Sequence, residues 1–181
     1  MTVGGRPMRL LAEIHRHAGV NPRGRAVTRE AVRSVIWRGS ELLLLYSRRD
    51  GTYKFPGGGV DAGESHVQAL ARELREECGA ELIEVLGPLG RVVEYALPKE
   101  TDFDVFCMTS YYYFCSIESE LGAQDLKGYE LDLGLEPRWL KAEEAIAVNE
   151  QALASGTAPS WTRRETTVLK LLRDRLQKTG S

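Results

Sequence analysis

The chain has 181 residues, 43% hydrophobic and 28% charged, a balance that suits one globular domain with a genuine core. Its formal net charge is −2 and no basic block is longer than a pair of arginines, so nothing marks a binder of nucleic-acid polymers, while small anionic ligands stay open. No run approaches the roughly 20 apolar residues that span a bilayer, the N-terminus lacks a signal-peptide pattern, and the cysteines Cys78, Cys107 and Cys115 form no CxxC, so a cytoplasmic protein with reduced thiols and no membrane partner is expected.

Residues 8–18 (MRLLAEIHRHA) predict a short amphipathic helix, and Asn21-Pro22-Arg23-Gly24 predicts the turn that ends it. This divides the chain into an N-terminal helical arm, 1–28, and a main domain, 29–181. AVRSVIW and ELLLLYS, joined by Arg38-Gly39-Ser40, read as a hairpin. Lys54-Phe55-Pro56 followed by Gly57, Gly58 and Gly59 must form a loop, because three glycines suit no regular interior. Glu64 to Cys78 holds no proline or glycine and is rich in helix formers, with Gly79 placed as its C-terminal cap. Strand-like segments follow at 80–86, 91–97 and 104–117, then a short one at 138–140. Helices are expected at 142–149 and 161–177, the last closing the main domain. Periodicity alone therefore gives an α/β or α+β chain.

On a helical wheel with Glu73 at zero, Glu77 falls near +40° and Glu76 near −60°, so three carboxylates share one face. Leu70, Leu74, Val67, Cys78 and Ala71 cluster between about +60° and +160°, an apolar stripe that would dock the helix and leave the glutamates at the edge of a cleft. Carboxylates on adjacent turns lie ~6 Å apart and repel by about 3 kcal/mol per ionised pair at an effective dielectric of about 20. A hard divalent cation with carboxylate, carbonyl and water ligands relieves that repulsion and also shields phosphate oxygens. A solvated helix face is the plain alternative for an isolated ExxEE pattern.

This pattern is not isolated. Gly58, Glu64, Arg72, Glu73, Leu74, Glu76, Glu77, Gly79 and Ala80 match the Nudix box, GX5EX7REUXEEXGU with U aliphatic, without gap or shift. Chance agreement at the seven strictly specified positions is on the order of one in 10⁸ to 10⁹ per window. Phe55-Pro56-Gly57-Gly58 also resembles the usual lead-in, and Ala80 is the one soft departure, smaller than the usual final aliphatic residue.

The resemblance to the Nudix hydrolases implies a mixed β-sheet sandwiched between helices, with the box as loop, helix and loop. It implies hydrolysis of a phosphoanhydride bond in a nucleoside diphosphate linked to a moiety X, with Mg2+ or Mn2+ as cofactor and a small nucleotide-derived substrate. It implies Glu73, Glu76 and Glu77 as metal ligands, with the Gly58 carbonyl and Glu64 completing or supporting the shell. Arg72 would orient Glu73, the leading general base within the box. A further glutamate from a later loop often serves as base or ligand in such enzymes; Glu130 in KGYELDLG is the first choice here and Glu136 the second. A homodimer is a common family arrangement. The alternative from another class is a Nudix-like sensor that binds a nucleotide metabolite without turnover.

Arg48, Arg49 and Lys54 precede the glycine loop and are candidates for gripping phosphates. Tyr111-Tyr112-Tyr113-Phe114 alternates faces if extended, with core or sheet surface favoured over base stacking. His66, on the acidic side of the helix, reads as solvent-exposed rather than as a metal ligand. The glycines lack the GKS/T of a P-loop, no GxSxG occurs, and the Asp61 region lacks EF-hand spacing.

Overall fold

The computed structural model describes residues 2, 3 and 6–179. In chain order its main elements are β1 (Leu10–His15), β2 (Ala26–Val35), β3 (Trp37–Arg38), β4 (Glu41–Ser47), β5 (Thr52–Lys54), α1 (His66–Cys78), β6 (Leu82–Ala96), β7 (Val105–Ile117), α2 (Tyr129–Leu133), β8 (Leu135–Leu140), α3 (Ala142–Ser155) and α4 (Thr162–Thr179).

The run Leu42 to Leu45 shows why two helical layers are needed. Side chains alternate across a strand, and all four leucines are buried. Leu42 and Leu44 join a core with Val35, Phe55, Tyr112 and residues of α3 and α4. Leu43 and Leu45 join a second core with Val32, Leu70, Leu74, Tyr111 and Tyr113 against α1. Tyr111 and Tyr113 therefore pack on one face, and Tyr112, with Phe114 partly buried, on the other.

Two sheets share these cores. The larger runs β1-β6-β7-β2, with β1 parallel to β6, β6 antiparallel to β7, and β7 parallel to β2. The smaller pairs β4 with β8 along one edge, and with β3 and β5 along the other. Of the expected hairpin through Gly39 only Trp37–Arg38 pairs with β4, Trp37 opposite Leu42, because Ala31 to Val35 pairs in parallel with β7 in the larger sheet. Sheets packed between helices, the larger of them mixed, form the expected α+β architecture.

Three further expectations need correction. Residues 10–15 form an edge strand and not a helix: Leu10 pairs with Arg91 and His15 with Tyr95, so the open backbone of β6 outweighs local helix propensity. The segments 80–86 and 91–97 are one strand, Leu82–Ala96, whose register breaks at Val85/Gly87 and Pro88/Gly90 absorb the proline. The helix expected at 142–149 continues to Ser155 and ends at Gly156 in the left-handed conformation.

A buried ionic cluster fixes α4 to the sheets. Arg164 donates to Glu94 at 2.5 Å and to Glu165 at 2.7 Å, Arg16 reaches Glu94 at 2.8 Å, and Glu165 also accepts the Phe55 N–H at 2.9 Å. Burial alone would raise the Glu165 carboxyl, but Arg164 and Arg33 overcome it and hold it below its ordinary value. The Phe55 contact anchors the chain just before the glycine loop.

Candidate active site

The glycine loop is laid along the free edge of β2. Ser34 donates its N–H to the Pro56 carbonyl at 2.8 Å, Val32 to Gly58 at 2.9 Å, and Val60 to Glu30 at 3.1 Å. Gly57 has φ +134°, and a Cβ there would lie 2.1 Å from the Val32 carbonyl oxygen. At Gly58 the constraint comes from the other side, since a Cβ would lie 2.3 Å from a carboxylate oxygen of Glu73. These glycines let the loop press against both the strand and the helix that carries the acids.

Helix α1 starts with a capping box, in which Ser65 accepts from the Gln68 N–H and Gln68 accepts from the Ser65 N–H, and it ends at Gly79 in the left-handed conformation. Its buried residues are His66, Ala69, Leu70, Glu73, Leu74, Glu77 and Cys78. Glu73 and Glu77 therefore sit within the docked face, not at its margin, and Val67 from the expected apolar stripe is exposed. His66 is buried too: its Nδ1 lies 2.7 Å from the Tyr113 hydroxyl and its ring packs on Tyr111, which corrects the solvent-exposed reading.

Glu73, Glu77 and Glu130 each present a carboxylate oxygen such that the three lie within 4.8 Å of one another. Helix α2 delivers Glu130, the loop residue favoured from sequence. Burial and then the Glu77 charge push the Glu73 carboxyl above its ordinary value, against Arg72 and Lys54. Burial likewise raises Glu77, despite Lys54 and the Gly57 N–H, and burial with the Glu73 charge raises Glu130. One oxygen of Glu73, Oε2, is buried with no hydrogen-bond partner. A clustered, largely buried set of hard oxygen donors with one unsatisfied oxygen fits a divalent cation.

Arg72 binds the remaining box acids together. Its guanidinium donates to both Glu64 oxygens at 2.9 Å, to Glu73 Oε1 at 2.6 Å and to the Gly59 carbonyl at 2.9 Å, and it lies 3.5 Å from Glu76. The bond from Arg72 holds the Glu64 carboxyl below its ordinary value. Glu64 and Glu76 are thus adjacent to the three-carboxylate cluster but outside it, and Glu76 is also paired with Lys127 at 2.8 Å. The Gly58 carbonyl already accepts from Val32.

The basic candidates diverge. Lys54 donates to Glu77 Oε1 at 2.5 Å inside the cluster. Arg48 pairs with Glu136, which also binds Arg138, and this keeps Glu136 away from the acids. Arg49 contacts Asp50 and Tyr129.

Gln124 is a residue that sequence reasoning missed. Its side chain donates to the Glu77 carbonyl at 2.5 Å and the Leu135 carbonyl at 3.0 Å, while Gly122 and Asp125 donate N–H groups to Gly79 and Glu76. Carbonyls at the end of α1 are satisfied by this loop, which runs directly into α2. Only the chemistry of an amide beside orphan carbonyls could have hinted at it, and no spacing rule encodes that.

Away from the acids, a cavity of about 630 Å³ lies between the sheet and the start of α4, with Leu97, Phe106 and Met108 on its walls and Arg29, Lys99 and Arg163 at hand. Among the described residues none of these three cations has an ion-pair partner.

A family model described as NUDIX domain matches residues 27–161. The RNA pyrophosphohydrolase of a Nitratiruptor species is 45% identical over 49 residues, 27% of this chain and 32% of its own length. That of Helicobacter pylori is 42% identical over 53 residues, 29% of this chain and 34% of its own length. The matched stretch thus spans about a third of the length of these curated relatives. Among solved structures, a MutT NUDIX hydrolase from Burkholderia pseudomallei aligns over 65% of this chain and 85% of its own, with 20% identity and a TM-score of 0.45.

Proposed function

This chain belongs to the Nudix family, and from that premise we propose that it hydrolyses a phosphoanhydride bond in a nucleoside diphosphate derivative with magnesium as its cation. The observation that carries the reading is the convergence of Glu73, Glu77 and Glu130 within 4.8 Å, with one Glu73 oxygen buried and unpartnered. A bare binding module has no use for three mutually repelling acids at such a point.

In this reading Glu73 and Glu77 hold the cation, with Glu130 facing it, Glu76 at its margin and the Gly58 carbonyl beside it. A divalent cation bound there supplies Lewis-acid polarisation of phosphoryl oxygens and a lowered pKa for nearby water. Arg72 positions Glu73 and, through Glu64, the loop that carries Gly58. Glu130 is the proton acceptor: its side chain is half-buried, and its hydrogen bond from the Lys127 N–H is long at 3.5 Å. Rate then comes mainly from positioning and electrostatic stabilisation of the phosphoryl group.

The substrate class is left to a panel of small nucleotide derivatives, since the cavity beside α4 shares no lining residue with the carboxylate cluster. Because the curated relatives are named for action on RNA, 5′-triphosphorylated RNA belongs in the same panel as nucleotide sugars, ADP-ribose, oxidised nucleotides and dinucleoside polyphosphates. Product release is measured across this panel with Mg2+ or Mn2+, comparing the wild type with Glu77→Gln. Turnover of one member that falls at least about a hundredfold in the variant supports the reading. No turnover with either metal, together with ligand binding that survives the substitution, sinks it in favour of a sensor.

A further inference from the structure

We infer that Lys54 is a tethered counter-ion of the carboxylate cluster, whose ammonium holds Glu77 in the metal-free protein and is displaced when a divalent cation binds. The inference rests on the metal-dependent reading above and concerns how this particular chain keeps its acids together without metal.

Lys54 ends β5, where its backbone pairs with Leu45 immediately before the glycine loop. Its side chain is only 12% exposed, and its ammonium lies 2.5 Å from Glu77 Oε1. The other oxygen, Oε2, accepts the Gly57 N–H at 2.6 Å. A fully buried carboxylate is tolerated because both oxygens face a donor, whereas Glu73 keeps an oxygen with none.

The two donors on Glu77 differ in their freedom. The Gly57 N–H belongs to a loop stitched to β2, so close to it that a Cβ on Gly57 would run into Val32 and Arg33. It cannot withdraw. The ammonium sits on a flexible four-carbon stem as a compact charge and can leave the carboxylate without moving the backbone. A dication approaching the cluster reaches Glu77 through Oε1, the oxygen the ammonium now occupies, and two cations on one buried oxygen repel strongly. Metal and the Lys54 ammonium therefore compete for this oxygen. Once released, the ammonium stands beside the cluster as a cation available to an incoming phosphate.

The test is Mn2+ binding to the substrate-free full chain, by calorimetry and by the loss of the free-ion resonance signal, in the wild type, Lys54→Met and Lys54→Arg. Removing the competing charge makes Lys54→Met bind Mn2+ at least about tenfold more tightly, while Lys54→Arg binds no better than the wild type. Equal or weaker binding by a folded Lys54→Met overturns the inference. Should that variant fail to fold, the Lys54 Nζ resonance of the 15N-lysine wild type decides: Mg2+ titration shifts it if the ammonium is displaced, and an unchanged resonance at saturation overturns the inference. Absence of saturable Mn2+ binding in the wild type sinks the metal-dependent reading and the inference with it; binding that Lys54→Met leaves unchanged overturns the inference alone.

Discussion

The guanidinium of Arg72 grips both carboxylate oxygens of Glu64 at 2.9 Å while its third nitrogen holds Glu73 at 2.6 Å. One planar fork thus links the loop before α1 to an acid in the helix's second turn. Lysine carries the same charge but offers a point donor that cannot serve both oxygens and Glu73 together. Arg72→Lys is expected to lower kcat about a hundredfold with a small change in KM. Steady-state kinetics with a melting-temperature control checks this; a KM rise at constant kcat would instead place Arg72 in substrate binding.

Gly58→Ala adds one methyl where the Glu73 carboxylate already sits. Either the loop or the acid must shift, at a cost of about 1–3 kcal/mol in stability. Metal affinity should fall with it, because Glu73 is pushed from its place. Gly59→Ala is the control, since nothing lies within 4 Å of a Cβ there. Urea unfolding and Mn2+ titration of the two variants should separate clearly.

Metal binding should become tighter as pH rises through the acidic range. Glu73, Glu77 and Glu130 all have folded values above the usual 4.5, so they retain protons that a cation must expel. The sign for the metal-free protein is opposite: these groups contribute stability that is present below 4.5 and is lost as pH rises through the raised folded values. The gain in melting temperature on adding Mg2+ is therefore expected to increase with pH across that window, and to flatten in Glu77→Gln. Calorimetry in buffers of different ionisation enthalpy should show proton release on binding.

Gln124→Ala removes the donor shared by the Glu77 and Leu135 carbonyls. Two buried acceptors lose a partner, which costs about 1–3 kcal/mol. The larger effect falls on the loop that leads to α2, whose loosening lets Glu130 drift. About a tenfold fall in kcat is expected, with Mn2+ affinity reduced less than in Glu77→Gln. Wild-type turnover with lowered stability would confine Gln124 to a structural role.

The box is legible in the sequence because its spacing is rigid: residues four apart on a helix must share a face, so Glu73 and Glu77 pair on spacing alone. Their depth is not legible. Burial depends on the glycine loop closing over them, a contact that no helical period encodes. Glu130 stands out only as a glutamate after the last long strand, and the Gln124 staple that places it has no periodic signature. His66 shows the same limit, since a polar residue beside three acids looks solvated until Tyr113 is brought to its ring. At the N-terminus, Leu10 to His15 carries helix-forming residues, and only the vacant edge of β6, far along the chain, turns it into a strand.

That parallel pairing of β1 with β6 sets the order in which the molecule can assemble. The first strand leaves the ribosome long before Arg91 to Tyr95 exist to receive it, and it must stay unpaired until they have been made. Hairpins close within microseconds, whereas a contact across so long a loop waits on chain entropy. The sheet's outer edge is therefore finished late, and amide protons of β1 are expected to exchange sooner than those of β7, which has a partner on each side.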